Sequence, residues 1–191
     1  LDPATGELLY FSYSTTAPYL HYGLVDATGT LVHQQPVPLP GPRLPHDMAF
    51  TEHYAILNDL PLFWDPELLA KGAYRPKWRP DLPTRLAVVP RRGGEPRWFE
   101  AAPTYVLHWI NAYEDGTTIV LDGYFQADPM PRPNPADGIY AGLKTMVDLH
   151  AFGARPHRWR LDLATGRCTE ERLFDDISEF PSLNYLQPGR R

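Results

Sequence analysis

The chain has 191 residues, 43% of them hydrophobic and 13% aromatic, enough to fill the core of one or two ordinary domains. Its net charge of -5 is modest and its 18 lysines and arginines are scattered, which argues against a nucleic-acid partner. A single cysteine, Cys168, rules out an internal disulfide framework and a cysteine-rich zinc site, and no run approaches the roughly 18 apolar residues of a membrane span. The 22 prolines and 14 glycines work against long helices and suit short strands joined by turns. The chain opens Leu1-Asp2-Pro3 without a methionine and stops at Arg190-Arg191, so it is expected to be an internal piece of a longer protein.

The first local signal is Asp2-Pro3-Ala4-Thr5-Gly6, whose closing tripeptide recurs at Asp26-Ala27-Thr28-Gly29 and Asp162-Leu163-Ala164-Thr165-Gly166. Aspartate opens a turn by accepting nearby backbone N–H groups, and glycine closes it in a left-handed conformation. Strand-like residues flank these turns at Leu8 to Tyr13, Tyr19 to Val25, Leu31 to Val37 and Trp159 to Leu163. Recurring hairpins of this kind predict an all-β architecture, for which a propeller and a sandwich are both solutions.

From Leu44 to Leu62 an apolar run is opened by His46 and turned at Thr51-Glu52-His53, which predicts a strand, a tight turn and a second strand at Tyr54 to Leu57, both largely buried. Pro61 to Leu82 carries Phe63, Trp64, Leu68, Leu69, Tyr74 and Trp78 among prolines, and reads as a loop or short helix. Arg85 to Val89 is a predicted strand, closed by the polar turn Pro90 to Gly94. Strands are expected next at Trp98 to Ala101 and Tyr105 to Ala112, then a turn at Glu114-Asp115-Gly116 and a strand at Thr117 to Leu121. Asp128 to Asp137 holds four prolines and is irregular. One short helical insertion is expected over Gly138 to His150, where Ile139, Leu143, Met146 and Val147 recur at helical spacing.

Three stretches resemble one family. His46-Asp47-Met48-Ala49-Phe50-Thr51-Glu52-His53-Tyr54 is similar to the sequence around the second iron-binding histidine of the carotenoid cleavage oxygenases, a group that includes lignostilbene dioxygenases. There the segment reads His-Asp-Phe-Ala-Ile-Thr-Glu-Asn-Tyr. Tyr105 to Gly116 resembles the third metal site, Phe-His-x-x-Asn-Ala-Tyr/Phe-Glu, with its histidine at His108. Ser178-Glu179-Phe180-Pro181-Ser182-Leu183-Asn184 is similar to the family's Glu-Phe-Pro-x-Ile/Leu-Asn/His segment. The separations are also family-like, 62 residues from His46 to His108 and 71 from His108 to Glu179. The resemblance extends along essentially the whole chain.

The resemblance implies a fold and a chemistry. Residues 1–191 would be a single partial domain, the middle portion of a seven-bladed β-propeller. The whole protein would be a non-haem iron(II) dioxygenase, with Fe(2+) as cofactor. It would cleave a carbon-carbon double bond of a conjugated polyene or stilbenoid with O2 to give two carbonyl products. His46 and His108 would be metal ligands, and Glu179 would hold His108 by a hydrogen bond. Neutral imidazoles suit ferrous iron and leave positions open for dioxygen, while a carboxylate on the outer ring nitrogen fixes the tautomer. The first ligand would precede Leu1 and the fourth would follow Arg191, so the stretch alone would supply two of four and be inactive. A cytoplasmic location with peripheral membrane contact is expected, Leu68 and Leu69 beside Lys71 forming a short apolar projection within Asp65 to Tyr74.

Other residues carry plainer readings. A lone histidine is more often a hydrogen-bonded core or surface group than a ligand, and no motif singles out His21, His33, His53, His150 or His157. Asp47 neighbours His46, but adjacent residues on a strand face opposite ways, so it is expected to bond the backbone. Glu114 reads as a turn residue, Cys168 as a small, partly buried side chain, and Phe50, Phe63, Trp64 and Trp109 as core aromatics. Two rival functions remain at this point. One is a catalytically silent β-propeller serving as a binding scaffold. The other is a metal-independent isomerohydrolase or esterase, for which no Gly-x-Ser-x-Gly elbow is present.

Overall fold

The recurrent aspartates do what their chemistry dictates. Asp26 Oδ1 accepts the N–H groups of Thr28 and Thr30, both at 2.9 Å, and Gly29 closes the loop at φ 86°. Asp162 Oδ1 takes the N–H of Ala164 at 2.8 Å and of Thr165 at 3.1 Å, with Gly166 at φ 77°. The computed structural model describes residues 1–182 and 188–190, with the backbone alone for residues 146 and 147. Among the described residues the fold is all-β with a few short helical pieces.

β1 (Leu8–Tyr13), β2 (Leu20–Val25) and β3 (Leu31–Pro36) form the first antiparallel sheet. β4 (Ala49–Phe50) and β5 (Tyr54–Asp59) begin the second, which is interrupted by a hairpin of β6 (Leu62–Trp64) and β7 (Pro76–Trp78) with α1 (Pro66–Leu69) between them. β8 (Thr84–Pro90) and β9 (Arg97–Ala101) complete that sheet in the order β4-β5-β8-β9. β10 (Trp109–Asp115), β11 (Thr118–Phe125), β12 (Arg155–Asp162) and β13 (Cys168–Arg172) make a third meander. Between β11 and β12 lie a 3-10 turn (Pro135–Tyr140), α2 (Ala141–Val147) and α3 (Leu149–Phe152).

The two central strands of the second sheet, β5 and β8, are buried on both faces, which explains their near-continuous apolar runs. Ala55 and Leu57 of β5, with Ala87 and Val89 of β8, meet Leu9, Leu20, Tyr22 and Leu24 of the first sheet. Ile56, Leu86 and Val88 point the other way, into a core shared with Trp109, Ile119, Leu121, Trp159 and Leu161 of the third sheet. The three sheets are therefore stacked face to face, and period-two alternation assigns each side chain to one core or the other.

The structure departs from the sequence reading in five places. The strand expected ahead of the Thr51-Glu52-His53 turn is only the two-residue β4, so His46 and Asp47 lie outside it. The strand expected over Tyr105 to Ala112 starts only at Trp109, because Tyr105 makes an isolated bridge with Gln126 and residues 106–108 leave the ladder. β10 then runs on through Glu114 to Asp115, which makes Glu114 a strand residue. The segment 61–82, read as a loop or short helix, is the β6–β7 hairpin with α1 at its tip, and α1 adds a helical piece to the one insertion expected. The helix expected over Gly138 to His150 is split, since Gly138 sits at φ 61° and Asp148 at ψ 97°. Ile139 and Leu143 do not lie on a buried face, being 91% and 56% exposed.

Candidate metal centre

Each candidate histidine lies just ahead of the first strand of its sheet, His46 three residues before β4 and His108 immediately before β10. β4 packs beside β10, so the two imidazoles are brought together from separate sheets. Their ring centres are 5.3 Å apart with the planes at 79°. A metal-bound imidazole nitrogen sits about 2.1 Å from the ion, with its ring centre about 1.1 Å further out. Two rings on one ion at about 90–115° then have centres about 4.5–5.4 Å apart. The observed separation fits a shared ion.

Behind His108, Nδ1 meets Glu179 Oε2 at 2.8 Å. That bond leaves Nε2 as the ring nitrogen available to a metal. The Glu179 side chain is 2% exposed, and its carboxylate also accepts Phe180 N–H at 2.9 Å and Gln126 Nε2 at 3.5 Å. The Phe180 ring lies 5.0 Å from that of His108, on a residue at φ 58°, a left-handed backbone uncommon for a bulky side chain. His46 is exposed, and the His108 side chain is 23% exposed.

His46, Glu179 and Phe180 border a cavity of about 760 Å³ whose other walls include Leu44, Leu62, Leu107, Met130 and Phe152. Tyr105 also lines it and donates its hydroxyl to the Leu44 carbonyl at 3.2 Å. Burial raises the Tyr105 phenol far above its ordinary range, with Tyr13 and Glu179 adding to the effect, so it stays a donor. The cavity is thus an apolar chamber with few polar atoms, gathered at the histidine end.

The remaining motif residues hold the frame. Asp47 bonds the backbone as expected, although it lies outside any strand: Oδ1 accepts Met48 N–H at 2.8 Å and Oδ2 accepts Trp109 N–H at 2.9 Å. Glu114 is more than a turn residue. Its Oε1 takes the Thr51 hydroxyl at 2.6 Å and the His53 N–H at 2.9 Å, and Oε2 meets His53 Nδ1 at 2.9 Å. Burial pushes this carboxyl up, but the bonds from Thr51 and His53 outweigh it and hold the pKa below the ordinary value. Asn111, not singled out from the sequence, donates Nδ2 to Arg190 O at 2.9 Å and accepts Gly189 N–H at 3.0 Å. Its place inside the His-x-x-Asn pattern was the available signal, but its partners lie 78 and 79 residues away.

His157 is held between Phe125 and Trp159 with Nε2 3.2 Å from Glu170, His53 serves Glu114, and His33 meets Gln35 at 2.9 Å. Burial pushes the Cys168 thiol up to about 12, which suits an inert side chain. Trp109 is buried as expected, whereas Phe50, Phe63 and Trp64 are only half-buried. Among the described residues no three His, Cys, Asp or Glu side chains gather to hold a metal ion by themselves. Leu183 and Asn184 of the third motif lie outside the described residues.

A family model described as retinal pigment epithelial membrane protein matches residues 1–191. The chain belongs to this family, the carotenoid cleavage oxygenases. One relative in it is carotenoid 9,10(9',10')-cleavage dioxygenase 1 of Arabidopsis thaliana, 30% identical over 195 residues that cover 100% of this chain and 35% of the relative. Isoeugenol monooxygenase of Pseudomonas nitroreducens is 30% identical over 193 residues, covering 96% of this chain and 39% of its own length. The crystal structure of a Pseudomonas brassicacearum lignostilbene dioxygenase superimposes with a TM-score of 0.82 at 29% identity, over 100% of this chain and 40% of that one. The chain thus spans between a third and two fifths of the length of these carotenoid cleavage oxygenase relatives.

Proposed function

We propose that the whole protein containing this chain is a non-haem iron(II) dioxygenase that cleaves the double bond of a conjugated apolar alkene, an apocarotenoid or a stilbenoid, with O2. The observation that carries this reading is the convergence of His46 and His108, with Glu179 behind His108, at one wall of an apolar cavity. The donor set fits iron(II): two imidazoles at a spacing suited to one ion, one of them with its tautomer fixed by a carboxylate. The other two ligands of the four-histidine set would come from outside residues 1–191. The bound iron would supply the redox chemistry that joins both atoms of O2 to the two alkene carbons.

The chain's own residues have three tasks in this scheme. His46 and His108 hold the ion, Glu179 keeps His108 Nδ1 protonated and Nε2 aimed outward, and the apolar wall of Leu44, Leu62, Leu107 and Phe180 excludes water from the reacting alkene. The three stacked sheets are read as consecutive blades of a seven-bladed propeller, a reading supported by the four-stranded meanders and by the superposition at TM-score 0.82.

Peripheral membrane contact belongs to the same proposal. The β6–β7 hairpin gives Leu62 and Pro76 to the cavity wall and carries the half-buried Leu68 and Leu69 in α1, so its tip would meet a lipid surface beside the cavity mouth. Among the described residues no helix is long and apolar enough to cross a membrane.

The test is metal analysis of the whole protein combined with product masses after incubation with apocarotenoids and stilbenes under O2. Stoichiometric iron, lost in His46→Ala and His108→Ala, together with paired carbonyl products, is the expected result. A well-folded protein that takes up no iron and leaves every alkene intact would instead be a silent scaffold.

A further inference from the structure

The backbone that carries His46 lacks the support given to most of the sheet. Residues 44–48 belong to no strand. One end of the segment is fixed where Leu44 N–H meets Leu62 O at 3.2 Å, and the other where β4 begins at Ala49. Between these points the contacts converge on Asp47. Its Oδ1 accepts Met48 N–H, its Oδ2 accepts Trp109 N–H at 2.9 Å across the sheet boundary, and its carbonyl accepts Asn58 Nδ2 at 2.9 Å from β5. Asp47 directly follows His46 and Trp109 directly follows His108, so one carboxylate ties the two histidine segments at equivalent positions.

We propose that Asp47 is a positioning residue for the metal centre, setting the separation of the His46 and His108 imidazoles by joining the backbones that carry them. The inference rests on reading those histidines as ligands. A metal site requires its donors within about 0.2 Å of ideal distances, a tolerance that an exposed ring on an unpaired segment does not hold by itself. A carboxylate is suited to the task because it presents two acceptors and no donor to two N–H groups. Asparagine keeps one of those bonds and turns an NH2 group toward the other N–H; alanine loses both.

The experiment uses the whole protein, cobalt(II) as the metal probe, and Asp47→Asn and Asp47→Ala beside His46→Ala and His108→Ala. Cobalt affinity is read by titration, ligand geometry by the intensity and position of the visible d–d bands, and folding by circular dichroism. Asp47→Ala is expected to bind cobalt about 10- to 100-fold more weakly, the usual cost of losing an outer support, with Asp47→Asn between it and the parent and shifted bands in both. If Asp47→Ala does not fold, the asparagine variant decides the matter alone. Parental affinity and bands in a folded Asp47 variant, with cobalt lost in both histidine variants, would overturn the positioning role while leaving the metal site standing. Cobalt binding that survives both histidine changes would remove the metal-site reading itself, and this inference with it.

Discussion

Replacing Glu179 by glutamine tests how much the negative charge behind His108 matters, apart from its shape. In the parent, Glu179 Oε2 receives both His108 Nδ1–H at 2.8 Å and Phe180 N–H at 2.9 Å, while Oε1 faces Gln126 Nε2 at 3.5 Å. A glutamine oxygen in the Oε2 position keeps the first two bonds, and Gln126 can turn its own carbonyl to the new NH2. What is lost is charge assistance. A hydrogen bond to an ionised group contributes about 1.5–3 kcal/mol against about 0.5–1.5 for a neutral one, so Glu179→Gln removes about 1–2 kcal/mol. That corresponds to about a 5- to 30-fold loss of iron(II) affinity, read by competition with a chromogenic chelator in the whole protein. Glu179→Ala, which also abandons the ring nitrogen, is expected to lose more. If both variants hold iron as tightly as the parent, Glu179 serves only the fold and the orientation argument is wrong.

Ile56→Ala and Leu57→Ala each empty a fully buried site, on opposite faces of the second sheet, and each is expected to destabilise the protein by about 2–5 kcal/mol in chemical denaturation; a change below about 0.5 kcal/mol in either would mean that its face is not packed as described. Glu114 has a folded pKa held below its unfolded one, so its contribution is present above the unfolded value of about 4.3 and is lost as pH falls through the depressed folded value. Glu114→Gln should therefore lower stability at pH 7 and flatten the acid limb of the stability–pH curve, and an unaltered acid limb would count against the Thr51–His53 cradle. Changing Leu68 and Leu69 together to serine should weaken co-sedimentation with liposomes while leaving turnover of a soluble stilbene intact; unchanged co-sedimentation would return both leucines to the fold's own interior.

Features governed by near neighbours could be read from the sequence. The Asp26 and Asp162 loops are closed by side-chain bonds to residues two to four positions on, so composition suffices to find them. The apolar runs at 54–57 and 85–89 announce buried strands for the same reason, since both faces of the second sheet are covered. His46, His108 and Glu179 were found through motifs, and physical periodicity alone would have left them as ordinary side chains. What the sequence concealed depends on distant partners. The late start of β10 goes with an isolated bridge from Tyr105 to Gln126, 21 residues on, and Glu114 reads as a turn residue because its acceptor role is to a loop 61 residues away. The exposure of Ile139 and Leu143 shows the converse error: helical spacing marks a potential apolar face, but only tertiary context covers it.

One wall shared by two cores has a dynamic consequence. The second sheet cannot loosen on one face without disturbing the other, because Ile56 and Leu57 are adjacent on β5 yet belong to different cores. The amides of β5 and β8 should accordingly be the slowest in the chain to exchange with deuterium, opening only when the whole stack opens. The short β4, two residues long and paired on one side to β5, stands at the edge of that sheet and inherits its rigidity through a single strand. His46 lies three residues ahead of that strand, so the rigidity of β5 reaches it only through β4 and the bonds of Asp47, and the ring itself stands in the open.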